Sequence, residues 1–312
     1  YDLPIDEKKK KEVVNDCEEN MEAIRDIYSE FNGMQEADQN VARQMMDRMK
    51  EIIKQNGNPV RGSDHYSVME NYQKMEMFLN AARQEEKDNV ILYEIDIDGG
   101  ITRKEYTYDG ENMFVMSAKM LWNDDTEPML TYISLSKIKE WKYTEYGNFC
   151  YEVCVPEPPE VTEIVDGSCI IRVRPLNEEC LEYSEKYVGP LGYQGNNLLC
   201  SNWNIENMQD LDYNGIFEYL YNMKYGKKFS NETGVAGVTA DEFESVIMTY
   251  LPVTAEELKE WAVYDEQSNT YAWQRLGCGN YAPTHFGLSL PEVIEIKHNE
   301  DGTVVLTINA VC

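Results

Sequence analysis

Apolar residues recur at helical spacing through the first ninety residues of the chain. From Cys17 to Phe31 they advance by alternating steps of four and three positions, which places them on one face of a helix. Two more stripes of this kind follow, and the full set is Cys17, Met21, Ile24, Tyr28 and Phe31; Val41, Met45, Met49 and Ile52; and Val68, Tyr72, Met75, Leu79 and Ala82. The pattern predicts three amphipathic helices, and Ser63 or Asp64 is expected to cap the third.

Each stripe is too apolar to face water, so we expect six large side chains to be buried: Tyr28, Phe31, Met45, Ile52, Tyr72 and Leu79. Methionine is frequent in the stripes. It is interpreted as filler of a helical core rather than as the lining of a binding groove.

From Asn89 the period of the apolar pattern changes to two. Residues 90–97 and 101–108 alternate on either side of Asp98-Gly99-Gly100, and further Asp-Gly pairs begin at Asp109, Asp166 and Asp301. An Asp-Gly pair between alternating runs is typical of a β-hairpin, since both residues tolerate positive φ. The pattern predicts an antiparallel sheet over residues 89–175, interrupted by the prolines of segment 156–159.

After Pro175 helical and strand patterns mix. We predict helices over Glu178–Tyr187 and Tyr213–Tyr225, capping boxes at Thr239 and Thr254, a strand over Tyr271–Leu276 and a closing hairpin of Val293–Lys297 with Thr303–Val311. The chain is therefore expected to have an α+β fold. It divides into an N-terminal helical layer packed on the sheet (1–88), a central antiparallel β-sheet (89–175) and a C-terminal mixed α/β segment (176–312).

Composition excludes some partners. The 312 residues carry 28 Lys and Arg against 57 Asp and Glu, a formal charge of −29, and 42% of them are hydrophobic. So acidic a chain repels phosphate and anionic headgroups, so we expect neither nucleic-acid binding nor electrostatic adsorption to a membrane. No stretch approaches the roughly 18 apolar residues of a membrane helix.

The segment Glu94–Glu105 imitates a calcium-binding loop. Acidic residues stand at its positions 1, 3, 5 and 12 and Gly99 at position 6, as in an EF-hand. However, position 1 is Glu where the shorter Asp is required, and the flanks are strand formers rather than helices. We interpret the segment as a solvated hairpin with Asp98-Gly99-Gly100 at its tip.

No catalytic or metal-binding motif occurs, and we expect no cofactor and no metal. The three histidines, at 65, 285 and 298, are far apart, and Cys278 with His285 is a pairing that arises easily by chance. A carboxylate pair for hydrolysis cannot be picked out among 57 acids. Cys169 is a candidate disulfide partner for Cys150 or Cys154, and buried free thiols are the equal alternative.

Five segments together resemble a known family: Asp98-Gly-Gly-Ile101, Glu140-Trp-Lys-Tyr-Thr-Glu-Tyr-Gly147, Ile171-Arg-Val-Arg-Pro175, Gly192-Tyr-Gln-Gly-Asn-Asn197 and Asp301-Gly-Thr-Val-Val-Leu-Thr307. Their order resembles that of exported, lipid-anchored proteins of low-GC Gram-positive bacteria with a domain of unknown function. The resemblance implies a place on the outer face of the cytoplasmic membrane, with a signal peptide and an anchoring cysteine upstream of Tyr1. It transfers no catalytic residue.

Two irregular segments, 188–204 and 277–287, are rich in aromatic and amide side chains. Aromatic faces beside amides suit a neutral polar ligand such as a glycan, although turn formation and core packing explain the same residues. The candidate ligand-binding residues are Tyr193, Asn196, Asn197, Trp203, Tyr281 and His285. We expect a non-catalytic envelope protein that binds or scaffolds, and the alternative is a carboxylate-dependent hydrolase of cell-wall or dietary polymer. The oligomeric state is left open.

Overall fold

A computed structural model describes residues 2–31, 39–64, 66–124, 126–162, 165–189, 198, 203–230, 237–273 and 290–311. The chain divides into two compact units, Tyr1–Leu176 and Asn177–Cys312. The helices and sheets confirm the predicted α+β class, with helices at the N-terminus. None of the helices in the described ranges combines the length and the hydropathy of a transmembrane segment.

The first unit is built on a seven-stranded sheet whose spatial order follows the chain. Its strands are β1 (Val60–Gly62), β2 (Asp88–Ile95), β3 (Ile101–Tyr108), β4 (Met113–Trp122), β5 (Pro128–Tyr143), β6 (Asn148–Val153) and β7 (Ser168–Arg172). All neighbours are antiparallel except β1, which runs parallel to β2. The predicted hairpin of β2 and β3 is confirmed, with Ile95 opposite Ile101 beside the tip.

Two helices cover the convex face of this sheet: α1 (Glu7–Phe31) and α2 (Gln39–Ile53). Their apolar stripes pack on outward residues of β2, β3 and β4, and the core includes Cys17, Met21, Ile24, Met45, Met49, Tyr93, Ile101 and Ala118. The hairpin tip is fixed to these helices. A side chain at Gly99, where φ is +81°, would collide with Tyr28, so only glycine fits there.

Helix α3 (Tyr72–Arg83) packs on the opposite, concave face. Phe78 and Leu79 are buried there against residues of β2, β3 and β4 and against Phe149 and Ile171 of β6 and β7. At the far side of the sheet, the Tyr143 hydroxyl donates to Glu76 of α3 at 2.5 Å. One helix therefore contacts both ends of the curled sheet.

The curl of the sheet is visible in one contact. Tyr106 of β3 and Tyr151 of β6 are three strands apart, about 14 Å in a flat sheet. Their hydroxyls nevertheless lie 3.1 Å apart, and the rings meet edge to face. The inner face of the sheet is therefore concave, and side chains from distant strands meet across it.

Three local predictions in this unit are wrong. Ile52 is 37% exposed, because its neighbour Ile53 occupies the buried position that ends the stripe of α2. The third helix begins at Tyr72 after Asn71 rather than at Ser63 or Asp64, since strand β1 takes up the preceding residues. Met45 and Leu79 are fully buried as predicted, while Tyr28, Phe31 and Tyr72 are partly buried.

The second unit contains an aromatic core. Helices α5 (Tyr213–Tyr225), α6 (Ala240–Tyr250) and α7 (Ala255–Trp261) enclose it with a small sheet of β8 (Val238–Thr239), β9 (Tyr264–Asp265) and β10 (Thr270–Tyr271). Phe217 and Phe243 stack at its centre. The capping box at Thr254 is confirmed. The box at Thr239 is wrong, because that side chain makes no capping hydrogen bond.

The same unit includes a hairpin of β11 (Leu290–His298) and β12 (Val304–Val311), which turns at the predicted Asp301-Gly302. Helix α4 (Glu178–Tyr183), followed by a π-helical turn over Ser184–Val188, packs on β11. The Ser184 hydroxyl accepts from the backbone N–H of Val293 at 2.9 Å.

Candidate functional site

Most of the ligand-binding residues predicted from the sequence lie outside the described residues: Tyr193, Asn196, Asn197, Tyr281 and His285. Trp203 is described. Its indole N–H donates to the carbonyl of Leu198 at 2.7 Å, and its ring packs, partly buried, on the aromatic core of the second unit. Glycan binding at these segments therefore stays a prediction.

The acids of the calcium-loop imitation do not converge. Because side chains alternate along a strand, Glu94 and Asp96 point to the concave face and Glu105 to the convex face, where it pairs with Arg103 at 2.9 Å. Asp98 accepts from the N–H of Gly100 within the hairpin tip. Among the described residues there is no group of three or more His, Cys, Asp or Glu side chains that could hold a metal ion.

The concave face changes character along its strands. Near α3 it is apolar, but towards the tip of the β2–β3 hairpin it carries charged and hydroxyl side chains from five neighbouring strands. We call this area the concave polar face and define it as Arg61, Glu94, Asp96, Thr102, Lys104, Lys119 and Tyr132.

Its charges are paired. The Lys104 ammonium contacts the Glu94 carboxylate, and the Arg61 guanidinium lies 3.9 Å from it. Lys119 contacts Asp96 at 3.1 Å, and the Thr102 hydroxyl donates to Asp96 at 3.2 Å. The Glu94 and Lys104 side chains keep 14% and 18% of their surface exposed, so a ligand can reach this pair.

The two carboxyls have opposite pKa shifts. Burial opposes ionisation of Glu94, but Lys104 and Arg61 outweigh it and hold the pKa of Glu94 below its ordinary value. Burial dominates at Asp96 and raises its pKa, although Lys119 opposes this. Burial would also lower the pKa of Lys104, yet Glu94 raises it above its ordinary value. A carboxylate and a protonated amine therefore lie side by side.

Tyr132 of β5 stands beside these pairs. Burial raises the pKa of its hydroxyl, and Lys104 and Lys119 partly offset the shift, so the ring lies within electrostatic reach of both lysines. The residue is 43% exposed. It gives the concave polar face an aromatic surface that remains open to solvent.

The polar character continues across the curled sheet. Lys104 interacts electrostatically with Tyr106 on its own strand and with Cys169 on β7, four strands away in sheet order. Tyr151 hydrogen-bonds both Tyr106 and Cys169, and burial raises the pKa of both tyrosines. The floor of the concave polar face thus ends in a buried layer of hydroxyl and thiol groups.

The structure decides the question of Cys169. It stands opposite Tyr151 in the β6–β7 ladder, whereas Cys150 stands opposite Ile170 and points to the other face. All described cysteines are free: Cys17, Cys150, Cys154, Cys169 and Cys180. The proposed disulfide is wrong for these thiols, and burial raises the pKa of Cys17 to about 12.

Period-two alternation was sufficient to place Glu94, Asp96, Thr102 and Lys104 on one face of the hairpin. Sequence analysis did not single them out, because solvated hairpins carry charges just as often. The missing information was the curl, which brings residues of β3, β6 and β7 together.

Fold and site define an α+β protein with a curled meander sheet, helices on its convex side and paired charges on its concave side. The chain belongs to the family of unknown function DUF6070, whose model matches residues 10–312. No curated protein and no solved structure matches it.

Proposed function

We propose that this protein binds a neutral, hydroxyl-rich ligand such as a glycan on the concave polar face, without cleaving it. The observation that carries the proposal is the set of partly accessible ion pairs beside the exposed ring of Tyr132. A sugar hydroxyl both donates and accepts, and an ammonium next to a carboxylate offers both roles. An aromatic ring covers the C–H face of the sugar.

The cost of the ion pairs supports a role beyond stability. Partly buried charges lose hydration, and apolar residues in their place are often equally stable. Apolar residues do occupy the same face one cross-strand position further on, at Leu92 and Val115. A sheet that only needed to pack could have continued that apolar surface.

The charge balance favours a neutral ligand. Asp98 at the hairpin tip interacts electrostatically with Asp96 and Lys119. With Asp98 included, the area has three cations and three carboxylates. It is therefore close to neutral within a chain of charge −29. Neither an anionic polymer nor a strongly cationic one is matched by such a surface.

Saturation-transfer NMR tests the proposal, with soluble peptidoglycan fragments and a panel of cello-, malto- and chito-oligosaccharides as probes. We expect signals from at least one probe, and Tyr132→Ala should weaken its affinity by about tenfold, the equivalent of 1.4 kcal/mol. Tyr146→Ala is the matched control, because Tyr146 is 42% exposed in the β5–β6 turn outside the concave polar face.

Two outcomes overturn the proposal: no probe gives a signal, or both tyrosine variants weaken binding equally. Trp203→Ala belongs in the same series. If it alone abolishes the signal, the ligand binds at the segments that sequence analysis predicted and not on the concave polar face.

A hydrolase is the second candidate, favoured by Glu94 and Asp96. They are two residues apart on one strand face, about 6.6 Å between Cα atoms, and their pKa shifts are opposite, as an acid and base pair requires. Shortening of the probe oligosaccharides, lost in both Glu94→Gln and Asp96→Asn, would favour this function over simple binding.

We further propose that the protein acts outside the cytoplasmic membrane, held there by a lipid anchor upstream of Tyr1. The support is the family resemblance given above, and the charge of −29 also argues against nucleic-acid partners. Fractionation of intact cells with protease accessibility tests this. Recovery in the cytosolic fraction would contradict it.

A further inference from the structure

Strand β12 has an unpaired edge. It pairs with β11 on one side, from Val304 opposite His298 to Val311 opposite Leu290. Within the part of the chain that the structure describes, no strand lies beyond it and no backbone hydrogen bond reaches its outer edge. Eight residues of edge are therefore available for another strand.

The composition of β12 does nothing to prevent strand addition. Edge strands usually carry charges, prolines or bulges that block pairing with other chains. Residues 304–311 contain no charge, proline or glycine, although 27% of the chain is charged. The one irregularity of the hairpin lies on β11, between Val293 and Glu295, so β12 itself is regular.

Apolar side chains of β12 face solvent. Val304 and Ile308 lie on one face together with Leu306 and Ala310, and both are 38% exposed. Val305, on the other face, is 51% exposed. A two-stranded ribbon is marginal in water, and further strands would stabilise it.

We propose that a second copy of this chain occupies this edge, in an antiparallel pair of β12 strands related by a twofold axis. Two chains of charge −29 repel each other, so their contact must be free of charge, and β12 is such a segment. Self-pairing is also isologous, which closes the assembly at two copies.

The register follows from the alternation of side chains. With the axis at Thr307, Val304 lies opposite the partner's Ala310 and Leu306 opposite the partner's Ile308. Both apolar stripes then share one face of a four-stranded sheet. One strand pair is smaller than the roughly 1,000 Å² of a stable interface, so the dimer is weak and reversible, and salt strengthens it by screening repulsion.

Sedimentation velocity of the full chain at rising concentration, in low and high salt, tests the proposal. We expect a monomer–dimer equilibrium whose dimer fraction rises with salt. Thr307→Lys should abolish the dimer, because it sets two lysines directly opposite each other at the axis. Within one hairpin the new lysine faces Glu295, which already contacts the Thr307 hydroxyl at 3.4 Å, so the hairpin is retained.

Thr162→Lys is the matched control, an exposed threonine in the β6–β7 loop with the same change of charge. Since either lysine reduces the net repulsion, a general charge effect would increase association in both variants. A wild-type protein that stays monomeric at every concentration and salt overturns the proposal, and so does equal dimerisation of both variants. Thr307→Arg repeats the test if Thr307→Lys fails to fold by circular dichroism.

Discussion

Arg103 is the most buried charge in the described part of the first unit, with 2% of its side chain exposed. It lies on the convex face of β3, where it contacts Asp16 of α1 at 2.5 Å and Glu105 at 2.9 Å. The Tyr93 hydroxyl also donates to Asp16. A single guanidinium thus links the first helix to the sheet.

Arg103→Ala should lower the free energy of unfolding by about 3–5 kcal/mol, since it leaves two carboxylates without their buried partner. Urea-induced unfolding measures the loss. Arg48→Ala is the control, because Arg48 makes an equally short pair with Glu30 at the surface and should cost under about 1 kcal/mol. Equal losses would contradict a special role for Arg103.

Glu94 and Asp96 should change stability in opposite directions as the pH falls. The pKa of Glu94 lies below its ordinary 4.5 in the fold, so below about pH 4.5 the unfolded chain binds the proton first and stability is lost. The pKa of Asp96 lies above its ordinary 3.8, so the folded chain binds the proton first. Stability therefore rises as the pH falls towards 3.8.

The variants isolate the two contributions. Unfolding of Glu94→Gln, measured from neutral pH down to about pH 3, should lose less stability with acid than the wild type, and Asp96→Asn should lose more. The difference in slope is the readout, because each substitution also changes the absolute stability. Slopes of the same sign relative to wild type would show that the assigned pKa shifts are wrong.

Helix α3 contacts both ends of the curled sheet and closes one end of its concave side. Leu79 is fully buried there, so Leu79→Ala should cost about 2–5 kcal/mol. Met77 lies on the same helix but is 68% exposed, and Met77→Ala should cost little. Thermal unfolding of the two variants measures the contrast, and a loss under half of one kcal/mol at Leu79 would contradict a filled core position.

Elements with a strong period could be predicted from the sequence. The stripe of α1, the β2–β3 hairpin and helix α5 appear where the pattern places them. Ends of stripes could not, because Ile52 and Ile53 are equally apolar and only the angle of α2 decides which one is buried. Strand β1 was missed for another reason: it has three residues, too few to show a period.

At the scale of the whole molecule, the candidate site depends on curvature that no local pattern contains. Each strand of the first unit alternates as the sequence predicts, but the meeting of Tyr106 with Tyr151 requires the accumulated twist and coil of four strands. The acidic character of the chain was evident from composition. The near-neutral balance of the concave polar face was not, because it depends on which acids the fold places beside lysines.

The neighbouring positions of Arg103 and Lys104 on β3 have a consequence for how this family can evolve. One residue serves the helices and the next serves the concave polar face, so a single deletion or insertion within β3 would exchange their sides. It would place Lys104 beside Asp16 and Arg103 beside Glu94. Length changes should therefore be excluded from this strand in natural variants, while the turn at Asp109-Gly110 can absorb them.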